Sequence, residues 1–200
     1  MFVTLEGPEG AGKSTVMHRL AQSLIDAGHL VVTTREPGDG SLGPKIRNIL
    51  LEGGALDPKA ELFLFLADRA QHVSEVIRPA LASGHIVICD RYVDSTMAYQ
   101  GYGRGLDLET LRNWNNFATG NLKPDLTLLV DIEPSLGLAR IKHKDRLDAE
   151  PLDFHKKVRE GFLAESKLDP ERWAIIDGSL DLDNVTLLAQ KAVGEMQAKI

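Results

Sequence analysis

The chain contains a single cysteine, Cys89, among its 200 residues. One thiol excludes an intrachain disulfide and fits a reducing compartment. Cys89 stands in the run Ile86-Val87-Ile88-Cys89, the setting of a buried structural thiol rather than a nucleophile. Long apolar runs are also missing, and none approaches the length needed to span a membrane. The first strand-like segment starts at Phe2, which leaves no room for a signal or transit peptide, so the expectation is a cytoplasmic protein. Basic residues are in deficit, 23 Lys and Arg against 29 Asp and Glu, for a net charge of −6. That balance argues against a nucleic-acid partner, which would need a dense basic face, while permitting a local basic pocket. There is no internal repeat, low-complexity segment or long linker. A chain of this length buries one good α/β core with little left over, so a single domain over residues 1–200 is expected.

What is present is an alternation. Short β-branched runs occur at Phe2–Leu5, Leu30–Thr34, Ile86–Cys89, Leu126–Asp131 and Trp173–Ile176. Helical periodicity fills the intervals at Lys13–Ala27, Pro44–Leu51, Pro58–Ala82, Leu108–Thr119, Pro134–Lys142, Leu152–Leu168 and Asp181–Lys199. Pro134 at a helix start, and Gly28 and Gly84 just past helix ends, agree with these boundaries. Strands separated by helices predict a five-stranded parallel sheet covered on both faces, a three-layer α/β architecture. Ligands on such sheets bind beyond the carboxyl ends of the strands, so the residues after each strand are the candidates for function.

The first such stretch is Gly7-Pro8-Glu9-Gly10-Ala11-Gly12-Lys13-Ser14-Thr15, a G-x-x-x-x-G-K-S phosphate loop between an apolar strand and a helix. Its glycines let successive N–H groups curl toward phosphate oxygens, and the following helix brings its positive end to the same anion. Lys13 supplies a mobile charge for β/γ-phosphates, and Ser14 offers a hydroxyl to Mg²⁺. This pattern predicts binding of a nucleoside triphosphate with Mg²⁺. Asp90, ending the third strand, is the expected carboxylate partner of the metal, against the alternative of a helix cap. Arg91 next to it and Arg35 after the second strand suit a second phosphate, as a kinase with a phosphorylated acceptor requires.

Beyond the loop, the Arg35-Glu36-Pro37-Gly38 box, Phe65-Leu66-Ala67-Asp68-Arg69, Asp90-Arg91-Tyr92-Val93-Asp94-Ser95-Thr96-Met97-Ala98-Tyr99-Gln100-Gly101 and Asp145-Arg146 appear in order. In these motifs the chain resembles the bacterial type of thymidylate kinase across nearly its whole length. The resemblance implies the P-loop kinase fold and phosphoryl transfer from ATP to thymidine 5′-monophosphate (dTMP), giving dTDP. It implies that Phe65 stacks on thymine and Arg69 hydrogen-bonds the base, although Phe65 alone reads as core and Arg69 could pair with Asp68 or Glu61. Thr96 and Gln100 fit polar contacts to the pyrimidine edge, and Ser95 joins them unless it is a turn residue. Tyr99 corresponds to the tyrosine under the sugar that disfavours a 2′-hydroxyl. The resemblance further implies that Glu9 orients the acceptor-phosphate arginine or reaches the 3′-hydroxyl, and that a basic lid over residues 140–151 brings Arg140 and Arg146 to the ATP phosphates. It is a few residues short and carries Lys142 and Lys144 where arginines are frequent. The apolar excess at Trp114 and Phe117 suits either a deep core or the homodimer that the resemblance implies. The rival readings are a kinase for another nucleoside or nucleotide and a non-catalytic nucleotide switch.

Overall fold

Each β-branched run becomes a strand because alternate residues find helices on opposite sides. The computed structural model describes residues 1–199. The strands are β1 (Phe2–Glu6), β2 (Val31–Arg35), β3 (Ile86–Asp90), β4 (Leu126–Asp131) and β5 (Trp173–Asp177). They form one parallel sheet in the order β2-β3-β1-β4-β5. Val3, Leu5, Ile88, Leu128 and Val130 point to one face, under α1 (Lys13–Asp26) and α9 (Leu182–Gln197). Phe2, Val87 and Cys89 point to the other, where Val73, Ile77 and Tyr92 cover them. The two-residue period of the strands therefore separates two core layers.

The remaining helices are α2 (Gly43–Glu52), α3 (Pro58–His72), α4 (Arg78–Ala82), α5 (Val93–Thr96), α6 (Leu108–Thr119), α7 (Pro134–Ala139) and α8 (Leu152–Leu168). The predicted Pro58–Ala82 helix is continuous but widens into a π-turn at Val73–Ile77, just before Pro79. Proline cannot donate to the carbonyl four residues back, so the helix relaxes its ladder there. The predicted Pro134–Lys142 helix stops at Ala139, since Ile141-Lys142-His143-Lys144 offers no apolar face to bury. A segment read from sequence only as a motif, Val93–Gly103, is helical and contains a second π-stretch at Met97–Gly103. Its polar residues Asp94, Ser95, Thr96 and Gln100 are buried, which hides the usual 3.6-residue pattern. π-segments accompany functional sites, and this one lines the cavity described next.

Candidate active site

The carboxyl ends of β1, β2 and β3 open into a cavity of about 350 Å³. Its walls bring together Glu9, Gly10, Lys13, Ser14, Thr15, Arg35, Phe65, Arg69, Asp90, Arg91, Ser95, Thr96, Tyr99 and Gln100 from four separate stretches of chain. Both ends of the predicted site thus share one space.

The loop after β1 has its tight shape because Gly7, Gly10 and Gly12 all take positive φ, at 142°, 68° and 91°. A Cβ on Gly10 would lie 2.0 Å from the Gly137 carbonyl oxygen, so α7 rests directly on the loop backbone. Pro8 and Ala11 are buried beneath it. Lys13 donates to the carbonyls of Gly7 (3.0 Å) and Pro8 (2.9 Å). Burial, then the neighbouring Arg91, pull its ammonium below the ordinary lysine range. A phosphate arriving in the cradle offers this cation a stronger, anionic acceptor than the two carbonyls.

Ser14 Oγ donates to Asp90 Oδ2 at 2.7 Å, while Asp90 Oδ1 is buried without a partner. An orphaned carboxylate oxygen beside a hydroxyl is a hard-oxygen donor pair, and it fits Mg²⁺. Among the described residues no group of three or more His, Cys, Asp or Glu is arranged to hold a metal unaided. Magnesium here would complete its shell with triphosphate oxygens and water, as it does in other phosphoryl-transfer sites.

Arg91 occupies left-handed backbone at φ 70°, unusual for a residue with a side chain. Glu6 maintains that turn: its carboxylate accepts from the Tyr92 N–H (2.8 Å) and from Ser95 Oγ (2.6 Å). The Arg91 guanidinium donates to Glu9 (2.8 Å), the Gly7 carbonyl (3.2 Å) and Ser95 Oγ (3.1 Å), and lies 4.9 Å over the Tyr99 ring. Glu9 also accepts from the Tyr99 hydroxyl at 2.6 Å. Burial pushes the Glu9 carboxyl up, but Arg91, Lys13 and Tyr99 outweigh it and hold it at about 2. The predicted Glu9–arginine relation is therefore present, and Ser95 serves it by bracing Arg91.

Arg35 lines the cavity with no acceptor for its guanidinium among the described residues. Sequence reasoning missed Arg47, which lines the same wall, donates to the Pro37 carbonyl at 2.7 Å, and has its pKa lowered by burial and by Arg35. Arg47 lies mid-helix in α2, in no recognisable motif. Its only signal was a basic residue on a helix following a functional loop. Together with Arg91, these arginines give the wall a positive excess that a dianionic phosphate would neutralise.

At the far end, Phe65 is half-buried and forms a wall of the cavity, not part of the core. Arg69 is almost wholly enclosed, donating to Glu36 (2.7 Å), Thr96 Oγ1 (2.7 Å), Asn115 Oδ1 (2.6 Å) and the Tyr92 carbonyl (3.0 Å). Of its five N–H groups one, on Nη2, is left for a ligand. Gln100 Nε2 donates to Glu61 Oε1 at 2.9 Å.

The two arginines expected in a lid, Arg140 and Arg146, do not line the cavity in this structure. Arg140 donates to the carbonyls of Gly178 (3.1 Å) and Gly10 (3.5 Å), touching the phosphate loop from outside the cavity. Arg146 is not brought to the loop. It binds the Leu50 carbonyl (2.7 Å) and Glu61 (2.6 Å), because those acceptors on α2 and α3 are buried and need a donor.

Asp68, in the motif beside Arg69, is buried with both carboxyl oxygens lacking partners of good geometry. Burial and then Glu36 raise its pKa from 3.8 to about 7, against the opposing pull of His72, Arg69 and the Gly38 N–H. The folded protein therefore holds a proton that the unfolded chain loses near pH 4, and stability falls as pH rises from about 4 to about 7. Asp68→Asn removes that loss. Its melting temperature should exceed the parent's by an amount that grows from pH 4 to pH 7, as followed by thermal denaturation in matched buffers. A constant difference would show that Asp68 is ionised in the fold.

Comparison with known proteins agrees with this geometry. A thymidylate kinase family profile matches residues 5–187. The thymidylate kinase of Desulfovibrio desulfuricans is 53% identical over 96% of this chain and 94% of its own. That of Solidesulfovibrio magneticus is 50% identical over 98% of this chain and 100% of its own. The crystal structure of thymidylate kinase from Ehrlichia chaffeensis superposes with a TM-score of 0.82 at 36% identity, covering 97% of this chain and 98% of that one. A phosphate loop facing a second arginine-rich pocket, in a chain so closely similar over its full span, places the protein in the thymidylate kinase family.

Proposed function

We propose that this site phosphorylates dTMP with ATP, giving dTDP and ADP, through the residues named above. The observation that carries the reading is one cavity in which a phosphate loop is lined up with Arg35, Arg47 and Arg91. The loop N–H groups, Lys13 and Ser14 bind the triphosphate of ATP. Ser14 and Asp90 hold Mg²⁺, which when bound neutralises charge on the β- and γ-phosphates. Arg35, Arg47 and Arg91 hold the dTMP phosphate so that one of its oxygens faces the γ-phosphorus in line. That oxygen is already anionic at neutral pH, so no strong general base is needed, and catalysis is positioning and charge neutralisation. Phe65 stacks on the base, while Arg69, Thr96 and Gln100 meet its edge. Tyr99 spends its hydroxyl hydrogen on Glu9 and so has no donor left for a 2′-hydroxyl, and its packed ring disfavours ribose by crowding and desolvation.

The chain acts as one domain with a lid over residues 140–151. Closure would release Arg146 from Glu61 and carry it, with Arg140, toward the ATP phosphates, excluding water. The working compartment is the cytoplasm, whose reducing conditions suit a lone thiol. The test is product formation from ATP·Mg²⁺ with the monophosphates of thymidine, deoxyuridine, deoxycytidine, deoxyguanosine and uridine, and with free thymidine. dTMP should be strongly preferred. Equal turnover of free thymidine would point to a nucleoside kinase, and ATP binding without transfer to any acceptor would point to a switch.

The protein works as a homodimer. Phe63 and Trp114 stack 5.2 Å apart on the outer face of α3 and α6, and Phe117 beside them is 90% exposed. Such a patch is a candidate interface. Phe117→Glu should shift the sedimentation coefficient from dimer to monomer at micromolar concentration. An unchanged value would remove this face from the interface.

A further inference from the structure

Glu61 lies in α3 outside the motifs that mark the site and does not line the cavity. It is buried, and its carboxylate gathers donors from three directions: Gln100 Nε2 (2.9 Å), Arg104 Nη2 (3.1 Å) and Arg146 Nη2 (2.6 Å). Burial pushes its carboxyl up, but hydrogen bonds from Arg104, Gln100 and Arg146 win and keep it below the usual glutamate range. An ionised carboxylate only accepts. It therefore dictates which end of the Gln100 amide it meets, because the flipped amide would set oxygen against oxygen.

The consequence falls on the cavity side. With Nε2 committed to Glu61, the Gln100 amide oxygen is left without a protein donor among the described residues, in a side chain that lines the cavity. Arg69 lines the same cavity, and its spare N–H offers a donor there. An acceptor next to a donor matches the N3–H and O4 of thymine or uracil. It opposes cytosine, which presents a lone pair at N3 and an amino group at C4.

We infer that Glu61 is the positioning residue that sets base specificity, fixing the Gln100 amide so that the site accepts a pyrimidine carrying N3–H and rejects cytosine. A freely rotating glutamine could present its NH₂ to cytosine N3, whereas a glutamine held by a carboxylate cannot. The inference rests on the proposed dTMP-binding role of this cavity. Arg104 reinforces it by keeping Glu61 charged, and Arg146 adds to this until the lid closes.

The test compares kcat/KM for dTMP, dUMP and dCMP in the parent and in Glu61→Gln, whose side-chain amide can present either end to Gln100. The dCMP/dTMP ratio should rise about tenfold or more, since a released amide recovers part of a polar mismatch. The dUMP/dTMP ratio should stay put, because uracil has the same N3–H and O4. In a Gln100→Ala background, Glu61→Gln should no longer move the dCMP/dTMP ratio. A uniform fall for all three acceptors would make Glu61 merely structural and overturn the inference. Should Glu61→Gln fold poorly, the parent enzyme still decides through N3-methyl-dTMP. Its kcat/KM should fall at least about 10²-fold below dTMP, the methyl group having replaced the donor. Comparable turnover would show that no fixed acceptor faces N3. A parent enzyme inactive on dTMP would overturn the reading of the cavity itself, whereas a dTMP-selective parent with an unmoved ratio overturns only the role of Glu61.

Discussion

Arg91→Ala is expected to lower kcat for dTMP phosphorylation by about 10³-fold or more, within the range seen when a transition-state arginine is removed. Arg91 is bound to the Gly7 carbonyl of the phosphate loop, to Ser95 and to Glu9, so a single guanidinium touches both halves of the site. Its removal takes a cation from the acceptor pocket and leaves the part-buried Glu9 with Lys13, Tyr99 and His155 to stabilise its charge. An unpaired carboxylate beside the phosphate loop would also repel the anions that must meet there. Arg91→Lys should recover little, because an ammonium cannot serve three acceptors in a fixed fork. Steady-state kinetics with dTMP and ATP varied separately, alongside thermal denaturation, distinguishes the outcomes. A folded Arg91→Ala enzyme retaining a tenth of the parent kcat would remove Arg91 from the reacting centre.

The largest effect on stability is expected at Gly10. Alanine there must accept φ 68° and a methyl group 2.0 Å from the Gly137 carbonyl, so either the loop or α7 has to move. Left-handed strain and overpacking together cost about 2–5 kcal/mol. At about 2–4 °C per kcal/mol for a chain of this size, Gly10→Ala should melt roughly 4–20 °C below the parent. Gly12→Ala is the internal control, since Gly12 shares a positive φ of 91° but has nothing within 4 Å of the added methyl. The difference between the two melting temperatures reads the steric contact alone. Equal values would mean that α7 yields freely.

The phosphate loop was legible because its function depends on contiguous backbone, so the pattern of glycines, lysine and serine is local. The five strands were legible for a similar reason, each having apolar residues for both faces. Helices α6 and α8 begin and end where periodicity placed them, at Leu108–Thr119 and Leu152–Leu168. The helix at Val93–Gly103 was not visible as a helix. Its buried positions are occupied by Asp94, Ser95, Thr96 and Gln100, whose partners Arg172, Glu6, Arg69 and Glu61 are distant in sequence. Arg47 and Glu61 were missed because their importance lies in what they face across the fold. Arg146 grips α2 and α3 through the Leu50 carbonyl and Glu61, contacts that a basic run after β4 does not reveal. Long-range pairing is what a single sequence conceals.

Cys89 opens a practical route to watching the enzyme work. Its thiol is fully buried in β3, donates to the Arg91 carbonyl at 3.1 Å, and is pushed well above the ordinary cysteine range by burial. Alkylating reagents need an accessible thiolate, so the native protein should be silent toward maleimides. A cysteine introduced at the exposed His143 would then be the single reactive thiol, and a fluorophore there would report in real time whether residues 140–151 move when nucleotide binds, with no need to delete the natural residue.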